Sequence, residues 1–535
     1  MSSVEAVRAV RSAAHKQQTL ERRPRGSADS DLLPVPPSDV EKYCYVGRRL
    51  WVLTVASLVS IGCLTVSQFR LFSSTPLLRY FYPLLAFTVL YYLISLRVNL
   101  FSRDFDLSRH KRLVGAWRPE VYPSVDVFLP VCGEPIEILR NTWTRVRALV
   151  ARYPGMCEPF VLDDSASPEL RAMAAEFGFR YATRANRGWF KKAGNLHFGF
   201  ERTQGAYILV LDADFAPRAD LLHELLPYLA EDERLAIVQS PQYFRVLDAQ
   251  NWIERGAGAV QELFYRAVQV SRQSSDGAIC VGSCAVYRRA ALKENGGTTL
   301  IEHSEDVHTG FDLRCLGWDL RYVPIALSTG VCPDDAEAFF HQQYRWCAGS
   351  MSLLCSSKFW RAKMRVSSRL CYLSGFLYYI HTAVFTFVAP LVPILLLLAF
   401  PEKPSAETLW LVLPSVVYTT TVFPLWHKVP YRLEAWAVRM MYGWAHTFAI
   451  WDIVRGRRVG WQATGSRGAK RGGTKRHRIG LWSWGGGTAL LWVGAAAWRT
   501  LTLDPVDFVL LLSSGLFYAA VVARALLQPR TMGTP

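Results

Sequence analysis

Charge is scarce in this chain, and negative charge most of all. Asp, Glu, Lys and Arg make up 20% of the 535 residues, with 44 acidic groups against 61 Lys plus Arg. Low charge combined with 51% hydrophobic residues excludes a disordered polypeptide. The 11 cysteines contain no paired C-x-x-C pattern, so no zinc framework is read from them, and no repeat of fixed period points to a solenoid. An early apolar run is also missing. The first begins near Leu50, after a polar, Arg-rich and Pro-containing arm, so a secretory signal is not expected.

What is present in quantity is aromatic and aliphatic surface: 18 Trp, 23 Tyr and 28 Phe, enough for a core with a remainder for lipid. A helix needs about 20 apolar residues to cross a bilayer core. Six stretches approach that length, near 50–69, 77–96, 380–400, 408–426, 479–498 and 508–523, the last three being short, Pro-interrupted or Gly-rich. Lys and Arg set the orientation of such spans. They gather in the arm, in the middle of the chain and between His427 and Arg478, so all three are expected on the cytoplasmic side. Basic clusters beside spans suit anionic lipid headgroups, and no nucleic-acid partner is expected. Most cysteines then face the cytoplasm as free thiols.

The resulting layout is a basic disordered arm over 1–47, two spans over 48–100, a cytosolic α/β domain with interfacial helices over 101–366, two spans over 367–427, an interfacial helix and loop over 428–478, two spans over 479–526, and a short tail over 527–535. In the middle region, β-rich runs at 125–130, 158–162, 206–211, 236–239 and 285–287 alternate with helical patterns. Two of these strands run into acids, Asp163-Asp164 and Asp212-Ala213-Asp214. In open parallel sheets ligands bind beyond the carboxyl ends of strands. Two carboxylates at alternate positions can hold a hard divalent cation that shares its other positions with phosphate oxygens, although solvated turn acids look the same. Lys192, in Lys192-Ala193-Gly194-Asn195, can meet a diphosphate or be a plain surface lysine. Glu305 and Asp306 open a helical pattern, where acids also suit the helix dipole. Gln342-Gln343-Tyr344-Arg345-Trp346 combines an amide, a planar cation and a large aromatic, or anchors an interfacial helix.

In this order, Asp163-Asp164, Lys192-Ala193-Gly194-Asn195, Asp212-Ala213-Asp214, Gly282-Ser283, Glu305-Asp306 and Gln342-x-x-Arg345-Trp346 resemble processive family 2 glycosyltransferases, in particular cellulose synthases and cellulose-synthase-like proteins. The resemblance implies a GT-A fold and inverting transfer from a UDP-sugar to a growing polysaccharide, which leaves through a channel between the membrane helices. It assigns Asp163 and Asp164 to the nucleotide, Lys192 to the diphosphate, Asp212 and Asp214 to Mg2+ or Mn2+, Asp306 to the general base beside Glu305, Gln342 and Trp346 with Gly282-Ser283 to the acceptor, and Arg345 to the leaving diphosphate. Trp461 and Thr464 loosely resemble a gating loop. Two departures stand out: Ser304 precedes Glu305-Asp306 where the family has Thr, and Val281 precedes Gly282 where cellulose synthases have Cys.

The expected activity is therefore polymerisation of UDP-glucose into a β-1,4-linked glucan at the bacterial plasma membrane. A UDP-N-acetylglucosamine-using synthase of chitin or hyaluronan type is the alternative, and a non-catalytic transporter or scaffold the alternative of another class. Lipids, the growing polymer, a second copy of the chain or an extracytoplasmic helper are the partner classes. With about a dozen residues after the last span, a cyclic-dinucleotide-binding module is not expected there.

Overall fold

A computed structural model describes residues 33–47, 49–100, 104–456 and 472–527. Its centre is a seven-stranded mixed sheet in the order β3-β2-β1-β4-β8-β6-β9, made of β1 (Val125–Val131), β2 (Cys157–Asp163), β3 (Arg180–Ala182), β4 (Tyr207–Val210), β6 (Leu235–Gln239), β8 (Ala285–Arg288) and β9 (Asp319–Tyr322). Only β8 runs against its neighbours, pairing antiparallel with β4 and β6. A second sheet of β5 (Ala216–Pro217), β10 (Ser328–Gly330) and β7 (Tyr243–Phe244) lies apart from it. The alternation of strands and helices is that of the expected α/β domain. All five strands read from the sequence are present. The five that periodicity missed are two to four residues long, too short to show alternation.

Every residue of β1 is buried, as befits a strand with parallel neighbours on both sides and helices on both faces. The helix Ile136–Arg152 covers one face with Leu139, Trp143, Val146 and Leu149, spaced at helical intervals. A buried ion pair locks the domain's far edge: Arg289 Nη2 is 2.6 Å from Asp126 Oδ2, which also accepts the Gly205 amide.

Part of the arm expected to be disordered is ordered. Residues 34–47 lie along the domain, where Glu41 takes two hydrogen bonds from Arg245 at 2.7 and 2.8 Å and Lys42 reaches Asp220 at 2.7 Å and Glu224 at 2.5 Å. Lys42 is only 6% exposed, and a buried ammonium needs such partners. The charge content that read as solvated is spent on specific pairs. The remainder of the arm lies outside the described residues.

Among the described residues, five helical segments are long and apolar enough to cross a membrane: Leu50–Ser73, Leu78–Asn99, Val366–Ala399, Glu407–Trp426 and Pro505–Leu526. The sixth expected span, 479–498, does not qualify. There a π-helical stretch, Leu481–Gly486, carries the basic helix Gly472–Gly480 on into Gly487–Thr502, and its Gly, Trp and Ser residues dilute the apolar run. The third span starts earlier than its apolar run suggests and carries Pro390 at the junction of Val366–Val388 with Leu391–Ala399. Between the domain and these spans lies the helix Leu433–Val454. It packs against Trp252–Leu263, Ala336–Leu354, Val366–Val388 and Pro505–Leu526. All 11 cysteines are free thiols.

Candidate active site

The acids at the strand ends separate into two groups with different surroundings. Asp163 closes β2, and its carboxylate is taken up by the following turn. Oδ1 accepts the Ser165 amide and hydroxyl, and Oδ2 accepts the Ser167 amide and the Tyr181 hydroxyl. Asp164 is paired with Arg184 through two 2.6 Å bonds from Nε and Nη2, the planar fork that a carboxylate fits best. Arg184 also donates to the carbonyls of Trp189 and Lys191, so it ties Asp164 to the start of the Lys191–Arg202 helix. Gly194 is required there, because a Cβ would collide with the Trp189 carbonyl and the Arg184 guanidinium. Asn195 completes the join by donating to the Leu162 carbonyl at 2.7 Å.

That join aims Lys192 at the second group. Its ammonium is 2.5 Å from Asp212 Oδ1, 3.0 Å from the Gly282 carbonyl and 3.6 Å from Glu305 Oε1. Burial opposes the charge on Lys192, but Asp212, Glu305 and Asp306 outweigh it and hold the pKa above its usual value. Burial and the neighbouring Asp212 push the Asp214 carboxyl up to about 7. Burial and Glu305 likewise push Asp306 up to about 7, although Lys192 and the Val307 amide counter them.

Gly282 and Ser283 shape this pocket from within. Ser283 is fully buried and its hydroxyl accepts the Asp212 amide at 3.0 Å. Gly282 sits at φ +76° against Asp306, where a Cβ would stand 2.8 Å from Oδ2. The loop before them is pinned by buried glutamines: Gln239 bonds the Val281 amide and the Ile279 carbonyl, and Gln242 the Val281 carbonyl. Across the pocket the helix Ala336–Leu354 presents Gln342, Arg345, Trp346 and Gly349 at helical spacing on one face. Burial lowers the Arg345 pKa to about 10, against the pull of Glu305.

The structure thus brings Lys192, Asp212, Asp214, Gly282, Ser283, Glu305, Asp306 and Arg345 together. Asp163 and Asp164 serve the adjoining turn and the lysine helix, and Trp461 and Thr464 lie outside the described residues. Three site residues escaped the sequence reading. Glu134, in the loop after β1, takes the Cys132 amide at 2.6 Å, and its pKa is raised by burial and by Asp212 and Asp163. Arg184 and Gln239 support the site through single side chains that no local pattern marks. Position at the end of β1 was the only available signal for Glu134. Among the described residues no group of three or more His, Cys, Asp or Glu stands ready to hold a metal.

Residues 207–426 match the family model described as glycosyl transferase family group 2, a stretch that takes in the D-x-D acids, Gly282-Ser283, Glu305-Asp306 and Gln342-x-x-Arg345-Trp346. Over that stretch the chain is similar to family 2 glycosyltransferases. The chain is 31% identical over 270 residues to the cellulose synthase catalytic subunit [UDP-forming] of Xanthomonas axonopodis pv. citri, covering 49% of this chain and 36% of the relative. A cellulose synthase 1 catalytic subunit [UDP-forming] of Komagataeibacter xylinus is 29% identical over 351 residues, 63% of this chain and 46% of that protein. The chain therefore spans less than half the length of these two relatives. Among solved structures, a mannosyltransferase of Pyrobaculum calidifontis in complex with GDP-Man and Mn2+ superposes with a TM-score of 0.45 at 15% identity, covering 69% of this chain and 97% of that one.

Proposed function

We propose that the protein is a membrane-embedded, inverting and processive glycosyltransferase that adds hexose from a UDP-sugar to a β-linked polysaccharide and passes the product outward between its membrane helices. UDP-glucose and a β-1,4-glucan are the substrate and product we favour, with the catalytic domain facing the cytoplasm at the plasma membrane. The observation that supports this reading best is the convergence of Lys192, Asp212, Glu305, Asp306 and the Gly282 backbone on one pocket, although they lie over a hundred residues apart along the chain.

In this reading Asp306 removes the proton from the acceptor hydroxyl as its oxygen bonds to the anomeric carbon, and the bond to the diphosphate breaks on the opposite face. Inversion follows from a single displacement, and no covalent enzyme intermediate is needed. Lys192 and Arg345 meet the negative charge that grows on the departing UDP. Trp346 and Gln342 offer an aromatic face and an amide to the acceptor sugar, and the flat Gly282 backbone leaves room for it beside the base. Asp164 and Arg184 form the wall on the nucleotide side.

Asp212 and Asp214 suit a hard divalent cation. They offer two carboxylates only, so phosphate and water would complete its shell. Asp214, with its pKa pushed up beside Asp212, is a group whose ionised form a cation would favour. Such a cation would supply charge neutralisation at the diphosphate.

The test is turnover of purified protein in lipid with each labelled UDP-hexose and with UDP-N-acetylglucosamine, followed by digestion of the product with linkage-specific hydrolases. Polymer made from UDP-glucose and degraded by a β-1,4-glucanase is expected. Chelation should stop synthesis and added Mg2+ or Mn2+ restore it. Failure of every sugar nucleotide to give polymer would overturn the proposal.

A further inference from the structure

The helix Ala336–Leu354 turns one face to the pocket and the other to the helix Leu433–Val454. On that second face Phe340, Tyr344, Cys347 and Met351 pack with Ala445 and Ala449, whose small side chains allow close approach. One carboxylate is enclosed in this apolar seam. Asp452 is 1% exposed, accepts the Tyr344 hydroxyl at 3.2 Å, and takes both Nη atoms of Arg476 at 3.2 and 3.3 Å. Arg476 belongs to the helix Gly472–Gly480, and its guanidinium lies 4.9 Å from the Phe448 ring centre. His477, the next residue, packs against Phe340 with ring centres 4.8 Å apart and planes tilted by 50°. A single buried acid therefore joins three helices, one of them the helix that bears Gln342, Arg345 and Trp346.

The same helix is also pressed from its pocket side. Gly349 touches Ser304, and a Cβ there would collide with the Ser304 hydroxyl and lie 3.2 Å from the His303 carbonyl. Ser304 immediately precedes Glu305 and Asp306. Sliding or rotation of the helix is thus limited by Ser304 on one side and by Asp452 on the other. Tyr344 and Arg345 are consecutive, so a rotation that broke the Tyr344 bond would carry Arg345 with it.

We propose that Asp452 is a positioning residue for glycosyl transfer: through Tyr344 and Arg476 it fixes the rotation of the Ala336–Leu354 helix, so that Arg345 and Trp346 face Asp306. The inference rests on the reaction proposed above. A buried carboxylate is tolerated only when well paired, and here both its partners are the groups whose placement it controls. Misplacing a reacting group by about 1 Å can cost on the order of 100-fold in rate. The carboxylate is bonded to Tyr344 and Arg476, so its effect should reach the reaction through Arg345 and fall more on turnover than on donor affinity.

The experiment uses the full chain in lipid discs and compares wild type with Tyr344→Phe, Asp452→Asn, Asp452→Ala, Arg476→Ala and the double variant Asp452→Ala/Arg476→Ala. UDP affinity is read by calorimetry, kcat by polymer formation, and the exchange of backbone amides over 336–354 by mass spectrometry. Expected are UDP affinity lowered far less than kcat, kcat lowered about 10- to 100-fold, faster exchange over 336–354, and no further loss in the double variant, since its two groups act as one unit. Tyr344→Phe removes a single hydroxyl, so it tests the idea even if the alanine variants fold poorly. Wild-type kcat and exchange in Tyr344→Phe and Asp452→Asn would overturn the proposal, as would UDP affinity falling in step with kcat. If wild type itself polymerises no sugar nucleotide, the reaction reading fails and the exchange measurement alone decides whether Asp452 holds the helix.

Discussion

Lys192 Nζ sits 2.5 Å from Asp212 Oδ1 while remaining 3.6 Å from Glu305, so one ammonium links the acids after β4 to those that open the Glu305–Cys315 helix. Without that cation the pocket would gather several carboxylates with less positive charge to offset them. The lysine is delivered by a helix whose start is secured by Gly194 and Asn195, which explains why those residue types accompany it.

Replacing Lys192 with Gln should therefore lower turnover by about 100-fold and move the titration of Asp306. Lys192 is among the groups that pull the Asp306 pKa down. Its removal raises that pKa, and the acidic limb of the pH–rate profile should shift to higher pH. A limb that stays in place would show that the two groups do not interact.

Asp306 itself sets the sign of the pH dependence. With a pKa of about 7, its carboxyl is protonated below that pH and able to accept a proton only above it. The value of kcat/KM should rise with pH through about 7 and then level off. The same shift affects stability. A carboxyl raised above its unfolded value near 3.9 costs stability once it ionises, so the penalty is absent at low pH and complete above about 7. Asp306→Asn should bind UDP normally, lose at least about 100-fold in turnover, and raise the melting temperature relative to wild type at pH ~8 but not at pH ~4.

Gly282→Ala tests the close approach of the loop to the base. The left-handed backbone costs a non-glycine residue roughly 1–2 kcal/mol, and the new methyl would lie 2.8 Å from Asp306 Oδ2. A folded protein with a slightly lower melting temperature and strongly reduced turnover is expected. Near-normal activity would mean that the loop yields at no cost to the reaction.

Arg289→Ala should act through the fold alone. It leaves Asp126 buried beside the Gly205 amide without its cation, a change that costs about 3–5 kcal/mol in comparable buried pairs. Denaturant or thermal unfolding should report that loss, and a change below about 1 kcal/mol would show that Asp126 is otherwise satisfied.

The pocket's main members were legible because each is marked by a local pattern: acids where β4 ends, a Lys-Ala-Gly-Asn start to a helix, acids opening another helix, and the Gln342-x-x-Arg345-Trp346 spacing. The long strands were legible for a similar reason, since a buried central strand is an unbroken apolar run. Arg184, Gln239 and Asp452 were not, because each acts as one side chain on partners distant along the chain, and Glu134 was not, because its hydrogen bond is a local turn contact to Cys132 and only the fold sets it beside Asp212.

Local order decides which segments become strands, membrane helices and helix starts, because burial periodicity and capping act over a few residues, and these are written in the chain itself. Partnership is decided in three dimensions. Whether Asp163 faces a ligand or its own turn, whether the arm over 34–47 is free or pinned by Lys42, and which helix Asp452 steadies all depend on which buried charge meets which counter-group. Only the packed fold brings those groups within hydrogen-bonding distance, where desolvation makes the pairing obligatory.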